Sequence, residues 1–419
     1  MSLFNRCAAR CLLAAGLFSG LGAVPARAAD ETVLYSFKGG ADGAFPVAGL
    51  TFMNGLLYGT TSNGGTSSEN HGAGCGFVGT GCGVVFSASL TGLETVLHSF
   101  QGFDRAGGAA DGHAALPISG LTRVGNTLYG TTYSGGALTS SCEWGCGSVY
   151  AVNAQGTVTM LHAFTGADGA YPEGSVLLLG NQLVGSATFG GAASGFGVAY
   201  AMALNGGSPA LLHSFAQNSG DGESPAGALI KAGGTLYGTT TQGGAYGHGT
   251  VFKVSPAGAE TVIYAFKGGA DGAAPDGLIS VGGVLYGTTA AGGDKACAGG
   301  CGTVYALNGR GVKTLLHAFH GGEDGANPNG ALLEFRGRFY GTTINGGKAN
   351  DGTVFSVGAT GSEIIEHAFT GGADGANPRG PLTNVLGRLY GTTSLGGTGT
   401  GCDAEQADAG CGTIFRITP

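Results

Sequence analysis

The sequence predicts an all-β protein: a seven-bladed β-propeller with four antiparallel strands per blade. Three observations predict it. The stretch LYGTTSNGG at 57–65 returns at 128–136, 183–191 (as LVGSATFGG), 236–244, 285–293, 339–347 and 389–397, at steps of 71, 55, 53, 49, 54 and 50 residues. A period near fifty marks one supersecondary unit stacked repeatedly on itself. Each unit holds four runs rich in Val, Leu, Phe, Tyr and Thr and bounded by glycine, the composition of short strands. The links between these runs alternate short, long, short, which describes a propeller blade. A parallel β-helix is the rival arrangement, although its coils are usually shorter than fifty residues.

In the first unit the four runs are 47–53, 56–61, 83–88 and 94–100. The first and second are joined by a tight turn (Asn54-Gly55, Gly125-Asn126, Gly233-Gly234, Gly282-Gly283), and the third and fourth by another around Gly92, Gly156, Gly258, Gly311 or Gly361. The second-to-third link is long and variable. The fourth leads to the next first run through ADGAFP and its variants. The chain ends support closure. ETVLYSF at 31–37 is a fourth strand without the preceding three, and GTIFRIT at 412–418 is a third strand without a fourth. The N-terminal strand 31–37 is therefore expected to complete the last blade and clasp the ring; the competing phase makes it an innermost strand. The P-x-G-x-L stretches, such as 225–229 and 328–332, carry small residues suited to a crowded axis.

The expected blades span about 46–100, 117–164, 172–215, 225–266, 275–319, 328–369, and 378–418 plus 31–37, in one domain covering 29–419. The third is the most divergent, with Val184 in place of tyrosine. Second-to-third and fourth-to-first links leave a blade on one face, so the long loops, the cysteine couples within them and all Asp-Gly motifs share that face. Loops on a rigid scaffold are where recognition usually resides.

Arg6 and Arg10 precede an apolar run, Leu12 to Val24, and Ala26-Arg27-Ala28 follows as a small-x-small site. Residues 1–28 read as a secretory signal peptide, too short in its apolar part to span a membrane. The expected location is secreted or periplasmic. Without Arg6, Arg10 and Arg27 the chain keeps 15 basic against 26 acidic residues, a net of −11. That balance argues against nucleic acid or anionic lipid as a partner. Eight cysteines remain after cleavage, in four local couples: Cys75/Cys82, Cys142/Cys146, Cys297/Cys301 and Cys402/Cys411. In an exported chain such couples read as disulfides. Zinc is the alternative for the two C-x3-C couples, but no histidine or second couple accompanies them at ligand spacing.

The recurrence of LYGTT-x-x-GG, G-T-V-F, V-L-H-x-F and DG-x-x-P-x-x-x-L together resembles the Gloeo/Verruco (GloVer) tandem repeat of exported bacterial proteins, over essentially all of 31–418. The resemblance implies a secreted, propeller-like repeat protein and implies no activity. Many members of that family carry a C-terminal surface anchor. This sequence stops at Pro419 just after a strand, so no anchor is expected.

Candidate chemistry is sparse. Asp42, Asp111, Asp168, Asp221, Asp271, Asp324 and Asp374 recur once per unit. They read as turn residues that accept a hydrogen bond from a backbone N–H two residues on; one carboxylate per blade, spread around a ring, is a poor cage for a calcium ion. His98, His162, His213, His317 and His367 share one fourth-strand position with Tyr35 and Tyr264, which suggests packing with a hydrogen bond. The repeated tyrosine is expected between neighbouring blades. Trp144, the single tryptophan, lies in the stapled loop with Glu143, where it could stack on a sugar or peptide. His71, His113 and Asp403 join them as binding candidates from the long loops. No nucleophile elbow, zinc-protease helix, EF-hand or P-loop is present. No cofactor and no metal centre is expected.

The preferred reading is a monomeric binding or scaffold module that recognises a glycan or protein through its long-loop face. The alternative is a carbohydrate- or lactone-active hydrolase or lyase at the mouth of the central channel. A site of either kind is expected near the loops at 62–82, 101–116, 137–146 and 398–411.

Overall fold

The computed structural model describes residues 29–66, 75, 81–102, 114–192, 195–217, 220–402 and 410–419. The expected signal peptide, 1–28, lies outside them. Among the described residues no helix is long and apolar enough to cross a membrane.

Seven four-stranded antiparallel sheets form a closed propeller. Six sheets take their strands in sequence order, as in Thr51–Met53, Leu56–Thr61, Val84–Ser89 and Glu94–Ser99 of blade 1. In the seventh, Ala376–Val385, Arg388–Leu395 and Thr413–Thr418 are completed by the N-terminal strand Asp30–Ser36. Asp30 pairs with Thr418 and Ser36 with Thr413. The clasp is thus an outermost strand, and the competing phase is excluded.

Blade-to-blade packing explains the repeat residue by residue. The phenylalanine that ends each fourth strand meets the aromatic ring of the next blade's third strand edge-on. The pairs are Phe37–Phe86, Phe100–Tyr150, Phe164–Tyr200, Phe215–Phe252, Phe266–Tyr305, Phe319–Phe355 and Phe369–Phe415, with centroids 5.0–5.2 Å apart. Edge-to-face geometry at this separation is the favoured aromatic arrangement. The third-strand ring also lies across the glycine of LYGTT in its own blade. A β-carbon on Gly59 would sit 2.5 Å from Phe86 Cζ, and one on Gly391 2.5 Å from Phe415 Cζ. The glycine is required by that close approach. The repeated tyrosine packs onto the following blade: Tyr58 joins the cluster of Leu121, Leu128 and Tyr150, and Tyr390 that of Leu50, Leu57 and Phe86.

The two threonines of the motif hold the blade by their hydroxyls. The second bonds to the hydroxyl that opens the third strand, as in Thr240–Thr250 and Thr343–Thr353. The first reaches across to the next blade's innermost stretch, as in Thr60 to the Ser119 carbonyl at 3.0 Å and Thr392 to that of Ala48 at 3.0 Å.

All four cysteine couples are disulfides: Cys75–Cys82, Cys142–Cys146, Cys297–Cys301 and Cys402–Cys411. Their setting goes beyond the expectation: Cys82, Cys146, Cys301 and Cys411 are fully buried. Each packs in the same core cluster as the phenylalanine that ends a fourth strand: Cys82 with Phe100, Cys146 with Phe164, Cys301 with Phe319 and Cys411 with Phe37. The physical reason is position. Each of these cysteines directly precedes the glycine that leads into the third strand, so its side chain enters the seam between blades. The disulfides anchor the roots of the long loops to the core.

One element departs from expectation. The first run of each blade does not form a regular strand from its start. In blades 4 to 7 the pairing slips at the P-x-G stretch, between Ala226 and Ile230, Asp276 and Leu278, Asn329 and Leu333, and Arg379 and Thr383. In blade 1 regular pairing starts only at Thr51. Such bulges re-aim side chains, and here they turn a row of them toward the axis.

Candidate binding site at the central channel

The axis is closed up by small residues. Gly174 lies against Gly227, Gly277 against Ala331, and Gly380 against Ala48 and Gly49. The residue after each proline is free to vary and lines a cavity of about 590 Å³. Around the ring this position reads Val47, Ile118, Glu173, Ala226, Asp276, Asn329 and Arg379. The lining extends to Ser62, Thr241, Ala274 and Ala290 at the long-link ends of the strands. A fold of seven nearly equivalent blades therefore encloses a strongly unequal set of side chains, apolar at blades 1 and 2 and charged or polar at blades 3, 5, 6 and 7.

Asp276 is held firmly. Its Oδ1 accepts from the Gly277 N–H at 2.7 Å, and its Oδ2 from the Gly330 N–H at 2.8 Å and Asn329 Nδ2 at 3.3 Å. Asn329 Oδ1 in turn accepts from the Gly380 N–H at 3.5 Å. This chain ties blades 5, 6 and 7 together. Glu173 stands across the channel; burial, and then the charge of Asp276, push its carboxyl above the ordinary range. Arg379 faces the cavity with no hydrogen-bond or ion-pair partner among the described residues, and burial lowers its guanidinium below its usual value, which leaves it charged at neutral pH. Its planar fork of five donors is suited to a carboxylate or to vicinal hydroxyls.

The sequence candidates fall elsewhere. Trp144 is exposed on the Cys142–Cys146 loop, where its carbonyl accepts from the Gly135 N–H at 2.8 Å; Glu143 is exposed beside it. His71, His113, Asp111 and Asp403 lie outside the described residues. The polar arc is drawn from blades 3, 5, 6 and 7, whereas the loops singled out in the sequence belong to blades 7, 1 and 2. What could have found it is the alignment of the seven stretches that begin at this proline, P-x-G in blades 3 to 7 and P-x-x-G in blades 1 and 2, where the residue after the proline changes character.

The Asp-Gly aspartates and the fourth-strand His or Tyr form one device. His162 pairs with Asp168 at 2.8 Å, His213 with Asp221 at 2.8 Å, His317 with Asp324 at 3.2 Å and His367 with Asp374 at 3.3 Å. Tyr35 donates to Asp42 and Tyr264 to Asp271, both at 2.7 Å. Histidine and tyrosine exchange because either can donate to the carboxylate. Each of the six described aspartates also accepts a backbone N–H, from Lys38, Thr165, Ala216, Lys267, His320 or Thr370. These donors precede the aspartate by three to five residues, not two after it, because the aspartate caps the chain leaving its own fourth strand.

The next blade adds a carboxyl to several of these pairs. Burial first, and then Asp374, Asp42, Asp221 and Asp324 in turn, push Glu31, Glu94, Glu260 and Glu363 up to about 7. Arg416, a hydrogen bond from Tyr35 and then Lys38, His213, and His317 with Arg338 oppose those shifts respectively. A folded-state value above the unfolded one supplies stability that is complete below about 4.5 and lost as pH rises through about 7. His213, which Asp221 raises despite burial, acts in the same direction; His367, which burial lowers, opposes it. Hydrogen bonds hold Asp168, Asp271 and Asp324 below the ordinary carboxyl range despite burial, so they matter only at more acidic pH. In EDTA the melting temperature is expected to fall by on the order of 5 °C between pH 5 and pH 8. Calorimetry across that range checks it, and a flat or rising profile contradicts it.

Fold and repeat together define a propeller repeat protein. A family model described as the Gloeobacter/Verrucomicrobia repeat matches residues 71–300 and 296–419, and the chain belongs to that family. No curated protein matches it. Among solved structures it is similar to the computationally designed Ika8 protein (TM-score 0.48, 14% identity, 92% of this chain and 99% of that one). It is also similar to an α-L-arabinofuranosidase, arb93a, from Fusarium graminearum (0.47, 12%, 91% and 97%). A gluconolactonase from Xanthomonas campestris is a third (0.38, 14%, 65% and 78%). At these identities no activity passes from them to this chain.

Proposed function

We propose that this protein is an exported, monomeric binding module that holds a small acidic glycan in its central channel. The observation that carries the reading is the unequal position after the proline. Val47, Ile118 and Ala226 give a sugar's apolar face a wall, and Glu173 and Arg379 give its polar groups partners. A cavity of about 590 Å³ is of the size that takes drug-sized or disaccharide-sized ligands. The unpaired guanidinium of Arg379 favours a ligand bearing a carboxylate. A protein partner would instead use the outer loops around Glu143 and Trp144. Export is supported by the four disulfides, which persist in oxidising compartments.

Hydrolysis is the second reading, because the raised carboxyl of Glu173 suits a general acid. It is the weaker one. A glycosidase needs two working carboxyls, and both oxygens of Asp276 are already occupied by donors.

The test is a panel of uronate oligosaccharides, neutral oligosaccharides, peptidoglycan fragments and lactones, read by thermal shift and by mass spectrometry of products. Stabilisation by the uronates without product is expected, with Arg379→Ala weakening binding roughly 10- to 100-fold, the loss of a charge-assisted hydrogen-bonded pair. Product formation would establish the enzyme reading. Equal affinity in Arg379→Ala would overturn the assignment of the channel.

A further inference from the structure

We infer that the blade interfaces carry hard divalent cation sites of the calcium class, each held between the Asp-Gly aspartate of one blade and a glutamate on the outer strand of the next. The position four residues before the fourth-strand His or Tyr reads Glu31, Glu94, Val158, Pro209, Glu260, Lys313 and Glu363 in chain order. Each of these follows the aspartate of the preceding blade around the ring.

At the interface of blades 4 and 5 the position is lysine. Its side chain is only 6% exposed, and its ammonium donates to Asp271 Oδ1 at 3.0 Å and to the Asp271 main-chain carbonyl. It also lies 5.4–5.9 Å from the ring centres of Tyr264, Phe266 and Tyr305. The chain has thus placed a positive charge in this pocket, on these oxygens and against aromatic faces that favour a cation.

At four other interfaces the same position is glutamate; basic groups stand near it (Arg416, Lys38, His213, and His317 with Arg338), but none of them hydrogen-bonds its Oε1. Oε1 of Glu31, Glu94, Glu260 and Glu363 is wholly buried without a hydrogen-bond partner, and so is Oδ1 of Asp42 opposite Glu94. At one of these interfaces, ligand atoms of His213, Asp221 and Glu260 lie within 4.8 Å of one another. A buried carboxylate oxygen without a partner is costly. An oxygen-seeking cation bridging the glutamate, the aspartate and its carbonyl would satisfy it, with water completing the shell.

Val158 and Pro209 leave two interfaces without an acid or a lysine. Opposite Pro209, Asp168 has both oxygens satisfied, by His162 and by the Thr165 N–H and hydroxyl. Among the described residues of these interfaces, the buried carboxylate oxygens without a partner belong to the four glutamates and to Asp42, which faces one of them. The poor cage offered by a ring of seven aspartates is replaced by separate pairs, each drawing on two neighbouring blades.

The test counts calcium. Protein stripped with EDTA is dialysed to equilibrium against about 2 mM calcium, a concentration chosen for sites with few charged ligands, and bound metal is measured per chain. Glu94→Lys is expected to bind one ion fewer than the parent, and Lys313→Glu one more. The lysine at 313 shows that the fold accepts lysine at this position, and Glu94→Gln provides a second, smaller change expected to lose the same ion. Calcium should raise the melting temperature of the parent more than that of Glu94→Lys. An absence of bound calcium in the parent, or identical counts in Glu94→Lys, Glu94→Gln and Lys313→Glu, would overturn the inference.

Discussion

Deletion of residues 29–37 is expected to abolish cooperative folding of the whole ring. The strand Asp30–Ser36 supplies the outer edge of the last blade through six paired positions with 413–418. Phe37, fully buried, carries the closing aromatic contact to Phe86 at 5.1 Å, and its N–H donates to the Gly412 carbonyl at 3.0 Å. Losing one buried phenylalanine costs about 3–5 kcal/mol. Losing its strand as well exhausts the roughly 5–15 kcal/mol by which a domain is stable. It also bares the edge of 413–418 to other chains.

The pairing suggests its own rescue. Asp30 lies opposite Thr418, so a two-residue turn can join Pro419 to Ala29. A permutant that begins at Lys38 and carries 29–37 after Pro419 should regain a single sharp transition by calorimetry. A permutant as unfolded as the deletion would contradict the clasp; a deletion that melts like the parent would contradict it more directly.

Phe319→Ala is expected to cost about 3–5 kcal/mol, measured as a lowered denaturation midpoint at unchanged slope. Phe319 is fully buried, 5.0 Å from Phe355 and 4.8 Å from His317, and its N–H donates to the Gly302 carbonyl. It fills the seam between blades 5 and 6, where the surrounding sheets cannot collapse without breaking the ring's spacing. Leu93→Ala, at a side chain 73% exposed, is the control and should change stability by less than about 0.5 kcal/mol. A loss below about 1 kcal/mol for Phe319→Ala would mean that the aromatic seams are not what holds the blades together.

The blades were legible because strand signals recur within one unit. Period, glycine-bounded runs and the two incomplete ends together specify both the blade number and the closing strand. Local cysteine couples likewise revealed their disulfides, since each closes a loop within one link. Their burial was not legible, because Cys82 and Cys301 lie in seams whose other side is the next blade, Leu128 and Tyr150 in one case and Phe339 and Phe355 in the other. What escaped the reading lies between units. Glu94 and Asp42 belong to different blades, and so do Lys313 and Asp271; no local pattern announces such contacts. The His–Asp pairs were visible as two separate periodic positions, yet their union depends on how the chain folds back after the fourth strand. The channel was hidden for the opposite reason. The recurring Pro and Gly draw the eye from the residue after the proline, which varies, and the bulges that aim it inward in blades 4 to 7 are not written in hydrophobic alternation. The loops that vary most in length drew attention to blades 7, 1 and 2, while Glu173, Asp276 and Asn329 sit in blades of ordinary length.

The proposed function places recognition in the axial cavity. The most direct measurement is the affinity of an acidic oligosaccharide for Ala226→Trp and for Trp144→Ala, each against the parent by calorimetric titration. Ala226 lines the cavity, so a tryptophan there fills it while leaving the outer loops untouched. Binding is predicted to fall at least about 100-fold in Ala226→Trp, with the fold intact by circular dichroism, and to be unchanged in Trp144→Ala. Full affinity in Ala226→Trp, with loss in Trp144→Ala, would contradict the account and move the site to the stapled loop.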